Sequence, residues 1–223
     1  MGVICLLHGA WHDPTCWDDV VADLRSRGHR VLAPDLPLGD PATTYAERVR
    51  PALAALPVAR TDDGDPIVVV GHSMGAAYAP LVSATLPAAL TVLLCPGLGP
   101  LRAGFPWPPA GPDGVSVWDP SMAVAALYPR LEPERAWHFA ARLRPMAPAA
   151  DRYPLGRAER AALPTVVVCA ADDEMFALET ERDRARISLG VDPVEIPGGH
   201  LPMLTDPVGL AALLDGFLRR SAS

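Results

Sequence analysis

Six short apolar runs punctuate the chain, at Val3–Leu7, 31–33, 67–70, Leu90–Leu94, 165–169 and Val194–Ile196. They are continuous rather than alternating, the pattern of strands covered on both faces of a parallel sheet. Between them, apolar positions at helical spacing occupy 17–27, 44–56, 75–86, Leu178–Leu189 and 207–220. This β-α-β-α order predicts one α/β domain over residues 1–223, a doubly wound, mostly parallel sheet of about six strands.

Residues 98–163 break the alternation. Pro100, Pro106, Pro108, Pro109 and Pro112 make its opening irregular, and helical pieces follow around 121–128 and 133–143. A strandless stretch of this length inside a compact domain is commonly a lid or binding loop. It is expected to form a helical, Pro-rich cap inserted between two strands.

Composition narrows the chemistry. Among 223 residues, 50% are hydrophobic and 20% charged, with a formal net charge of −7. Such a chain folds as a globule, and its acidic balance argues against nucleic acid as a partner. There is no Lys, Asn or Gln. Schiff-base chemistry, a P-loop lysine and an asparagine oxyanion donor are therefore excluded. Cys5, Cys16, Cys95 and Cys169 show no metal-ligand spacing, and three of them lie inside or at the end of apolar runs. They read as reduced core thiols of a cytoplasmic protein. Neither a signal peptide nor a membrane-spanning apolar run is evident, and the oligomeric state is left open.

Gly71-His72-Ser73-Met74-Gly75 follows the 67–70 run and opens a helical segment. G-x-S-x-G is informative in this context, because a strand-to-helix turn lifts the serine above the sheet edge. A serine hydroxyl needs a base, and His200 fits: it follows the last apolar run in Pro197-Gly198-Gly199-His200. His8 and His12 fall in the first loop, His29 before a strand and His138 in the cap. An acid must orient the imidazole. Asp172, Asp173 and Glu174 stand after the 165–169 run; Asp173 is preferred and Asp172 is the alternative. Acyl transfer also needs an oxyanion hole, assigned to the amides of Ala10 and Met74, with Trp11 beside the substrate. No cofactor or metal is called for.

Together these pieces resemble the α/β-hydrolase superfamily over nearly the whole chain outside the cap. His8-Gly9-Ala10-Trp11-His12 followed by Trp17 is similar to small esterases related to plant methyl-ester esterases and hydroxynitrile lyases. Asp173-Glu174-Met175-Phe176 resembles the acid-bearing loop of that group and favours Asp173. The run from Gly199 to Pro207 is similar to one in many bacterial hydrolases. The lyases of the group carry a threonine beside the oxyanion position and a lysine after the catalytic histidine. Here Gly9 and Leu201 stand there, which disfavours cyanohydrin chemistry.

The expectation is a serine hydrolase that cleaves a carboxylic ester of a small, largely apolar molecule through an acyl-enzyme. Lactones and thioesters are the neighbouring substrate classes. Two other readings stand beside it: the same triad used without net hydrolysis, for lyase, cyclisation or acyl-transfer chemistry, and a ligand-binding protein on a hydrolase scaffold. Trp107, Trp118, Trp137, Phe139 and Tyr153 of the cap are candidates for shaping an apolar pocket.

Overall fold

A computed structural model of the protein describes residues 1–59, 64–86 and 88–221. In chain order the elements are β1 (Val3–Leu7), α1 (Asp18–Ser26), β2 (Arg30–Leu32), α2 (Tyr45–Ala59), β3 (Ile67–His72), α3 (Gly75–Thr85) and β4 (Leu90–Leu94). Then follow α4 (Pro120–Leu127), α5 (Pro133–Ala140), α6 (Arg157–Ala161), β5 (Thr165–Ala170), α7 (Leu178–Leu189), β6 (Val194–Ile196), α8 (Pro202–Thr205) and α9 (Pro207–Ser221). All six predicted strands are present. The second starts one residue earlier than its apolar run, because Arg30 pairs with Val3 at the start of the ladder.

The strands form a single sheet in the order β2-β1-β3-β4-β5-β6, and every neighbouring pair is parallel. Strands β1 and β3 are buried at every position, whereas the edge strands β2 and β6 are only partly covered. Each Val or Leu buried in the centre contributes roughly 1.5–3 kcal/mol. The path from β1 to β2 runs one way across the sheet and the path from β3 onward runs the other. Right-handed crossovers therefore place α1 on one face and α3 on the opposite face. α9 returns to pack on α1, while α2 packs on α3.

This reversal between β1 and β3 is a topological switch point, where parallel α/β sheets bind ligands beyond their strand ends. Between β4 and β5 the chain leaves the sheet for α4, α5 and α6. That excursion is tied to the loop after β1. The Arg144 amide donates to the Trp11 carbonyl at 2.7 Å, and the Tyr128 hydroxyl donates to His12 Nε2 at 2.9 Å. Arg48 of α2, buried to 1% exposure, fastens the excursion between α5 and α6 by donating to the carbonyls of Ala147 and Pro148.

Candidate active site

Four strand ends meet above the switch point. At the end of β3 the chain must turn directly into α3, and Ser73 makes that turn at φ 51°, a left-handed conformation rare for a residue with a side chain. Holding it costs on the order of 1–2 kcal/mol, offset by the Ser73 amide donating to the Leu94 carbonyl at 2.9 Å. The flanking glycines are sterically required. A Cβ on Gly71 would strike the Gly75 carbonyl, and one on Gly75 would lie 2.5 Å from the Leu7 carbonyl and 2.7 Å from that of His8.

After β5, Asp173 is buried, while Asp172 next to it has its side chain 63% exposed. Asp173 Oδ1 accepts the amides of Met175 at 2.7 Å and Phe176 at 3.0 Å, which fixes the carboxylate. Its Oδ2 lies 2.8 Å from His200 Nδ1. That contact places the imidazole proton on Nδ1 and leaves the Nε2 lone pair free to accept another. Of the three acids proposed from sequence, Asp173 is the one that reaches the ring.

The backbone of His200 is gripped from both sides. Its amide donates to Glu174 Oε2 at 2.9 Å, and its carbonyl accepts from His72 Nε2 at 2.8 Å. Glu174 Oε1 in turn pairs with Arg130 at 2.5 Å. Burial pushes the His72 ring well below the usual histidine range, so it serves as a neutral donor. Sequence reasoning gave neither residue this part. Glu174 stood there only as a third candidate acid, and His72 only as a member of the turn.

The loop after β1 completes the arrangement. Trp11 also adopts a left-handed φ, 60°, and its indole donates to Ser116 Oγ at 3.0 Å. His12 Nδ1 donates to the Ala10 carbonyl at 2.9 Å, while Nε2 accepts from Tyr128. Burial lowers His12 to about 4, so the ring stays neutral. His8 is a fastener: its Nε2 accepts the Leu36 amide at 3.0 Å. Met74 stands at the start of α3, where the first amides of a helix have no partner within it.

Ser73, His200, Gly9, Ala10, Trp11 and Leu127 share one small pocket, with about 10 Å³ of room, space for one water. Of the five aromatic candidates of the excursion, none lines this pocket. Trp107 packs edge-on against Trp11 with ring centroids 4.7 Å apart, and Trp118 does so at 5.7 Å. Phe139 and Tyr153 line two other pockets, and Trp137 is 49% exposed. Trp107 and Trp118 thus brace the loop from behind.

The model of the alpha/beta hydrolase family matches residues 4–213. The chain belongs to that family. Relatives of this α/β hydrolase include a pyrethroid hydrolase of Sphingobium wenxiniae, 26% identical over 246 residues that cover 96% of this chain and 86% of that protein. A carbendazim hydrolyzing esterase of Nocardioides is 35% identical over 82 residues, 34% of this chain and 33% of the relative. Esterase PIR7B of Oryza sativa subsp. japonica is 40% identical over 77 residues, 31% of this chain and 28% of the relative. The matched stretch thus spans about a third of the length of these two esterases. Among solved structures, tomato methylketone synthase I, complexed with 2-tridecanone, superposes with a TM-score of 0.76 at 20% identity, covering 99% of this chain and 98% of that one. A methylesterase from Arabidopsis gives 0.77 at 17% identity, covering 99% and 100%. At these identities the likeness is one of fold. Among the described residues, no helix is long and apolar enough to cross a membrane.

Proposed function

We propose that this α/β hydrolase cleaves a carboxylic ester of a small, largely apolar molecule through an acyl-enzyme on Ser73. The observation that carries the reading is the Asp173–His200 pair, at 2.8 Å and buried, sharing a pocket edge with a serine held in a left-handed turn. Ser73 Oγ attacks the acyl carbon as His200 Nε2 takes its proton. The imidazolium is stabilised by Asp173, whose second oxygen is already committed to two amides. The Ala10 and Met74 amides receive the oxyanion, favoured by the positive end of α3. His200 returns the proton to the leaving alcohol, and water then repeats the sequence to release the acid. Esterases and hydrolases among the relatives support the same reaction class.

Residues 98–163 act here as a cap. The room beside Ser73 admits a water but not an ester, so substrate entry requires the wall that includes Leu127 of α4 to open. The apolar Leu127, Met175 and Leu201 around the serine suit an apolar acyl or alcohol group. Four free, buried cysteines fit work in the reducing cytoplasm.

The test is turnover of p-nitrophenyl acetate in ¹⁸O-labelled water. One labelled oxygen should enter the acetate, and Ser73→Ala should lower kcat about 10⁴-fold or more. Product formation without label would show that the site works without net hydrolysis. Undiminished turnover in Ser73→Ala would overturn the assignment.

A further inference from the structure

Cys95 has no part in the chemistry above, yet it stands directly behind it. It follows β4, its amide donates to the Val168 carbonyl at 2.8 Å, and its φ is 44°. Trp11, Ser73 and Cys95 are the non-glycine residues with positive φ among those described, and the other two border the serine pocket. Strained backbone of this kind gathers at functional sites. The Cys95 thiol, an Asp173 carboxylate oxygen and a His200 ring nitrogen lie within 4.8 Å of one another, and all three residues are buried.

We propose that Cys95, Asp173 and His200 form a binding site for a thiophilic divalent cation, Zn²⁺ or Cd²⁺, and that occupation silences the triad. A tetrahedral ion with bonds of about 2.0–2.3 Å sets its ligands roughly 3.5 Å apart. The three atoms need to adjust by only about an ångström to meet that spacing. The donor set decides the class of ion. Thiolate and imidazole favour Zn²⁺ and Cd²⁺ over Mg²⁺ and Ca²⁺, which take oxygen ligands. Charge balance also fits a buried position, because one divalent ion with one thiolate, one carboxylate and a neutral imidazole sums to zero. A 330 Å³ pocket lined by Pro96, Gly97 and Leu98 lies beside the chain that follows Cys95.

Binding releases one proton to solvent, from the thiol, and transfers no electrons. The ring proton moves from Nδ1, now bound to the metal, to Nε2. An Nε2 that carries a proton cannot take one from Ser73, so the metal removes the base without touching the serine. Because the ion displaces the thiol proton, it binds more tightly as pH rises.

The inhibitory half rests on the ester-hydrolase reading; the binding half does not. Intact protein is titrated with Cd²⁺ while the ultraviolet thiolate-to-cadmium absorption and the released protons are followed. Zn²⁺ is titrated against p-nitrophenyl acetate turnover in parallel. One Cd²⁺ and one proton per chain are expected, with Zn²⁺ inhibition reversed by a chelator. Cys95→Ala should abolish the absorption and raise the half-inhibitory Zn²⁺ concentration about tenfold or more, with metal-free turnover retained. Cys95→Ser keeps the side-chain size if the alanine variant folds poorly, and Cys169→Ala should behave as wild type. Absorption that persists in both Cys95 variants, or that never appears in the wild type, overturns the proposal. If the absorption and proton appear but no ester is turned over, the metal site stands and the hydrolase reading falls.

Discussion

Gly75 shows how tightly single positions are fixed around the serine. Its hydrogen faces the carbonyls of Leu7, the last residue of β1, and His8, the first of the loop that carries Ala10. A methyl group there must push β1 away from α3. Gly75→Ala is therefore expected to cost about 1–3 kcal/mol of stability and to lower ester turnover, because the shift moves the amide assigned to the oxyanion. Urea unfolding together with kcat checks this; wild-type values for both would show that the close approach is unimportant. Ser73, Asp173 and His200 could be proposed from the sequence because each stands three or four residues past the end of an apolar run, and a strand end restricts where the following residues go. Asp173 and Asp172 could not be told apart by spacing alone. The distinction lies in the turn, where the Met175 and Phe176 amides close onto one carboxylate.

At the scale of elements, the loop after β6 is held by side chains from two other loops rather than by its own turns. Glu174, on the loop after β5, accepts the His200 amide, and Arg130, just past α4, pairs with Glu174. The excursion is thereby tied to the backbone of the base. Glu174→Ala should reduce kcat up to about 100-fold by misplacing the ring, with KM little changed. Glu174→Gln, which keeps an acceptor for the amide, should retain most activity. Equal losses in both variants would assign the effect to the Arg130 ion pair, and no loss in either would contradict the positioning role. Such links were not legible in the sequence. They join residues 26 and 44 positions apart and depend on how the 98–163 stretch folds back. Its prolines predicted irregularity but not direction, and two of its three tryptophans, Trp107 and Trp118, pack against Trp11 instead of lining the pocket.

Over the whole molecule, two neutral histidines are buried where the excursion, the first loop and the serine turn converge. His12 is lowered to about 4 and His72 well below its usual range, both mainly by burial. Because these folded-state values lie below the unfolded one, the unfolded chain takes up protons first as pH falls. Stability should be flat above about pH 6.5 and should drop as pH falls toward 4. His12 alone accounts for about 2 kcal/mol of that loss by pH 5. Urea midpoints measured from pH 7.5 to 4.5 test this, and a profile that stays level across the window would show that the rings are not held neutral. The sheet itself followed from the apolar pattern, since a doubly wound arrangement is what six apolar runs with intervening helices can form. The central claim concerns a single oxygen atom and is tested most directly by covalent capture. The intact protein is treated with a fluorophosphonate and the modified peptide is sequenced by mass spectrometry. The account predicts one adduct per chain, on Ser73, that appears together with loss of ester turnover and fails to form in His200→Ala. Labelling at another residue, or continued ester turnover in fully labelled protein, would contradict it.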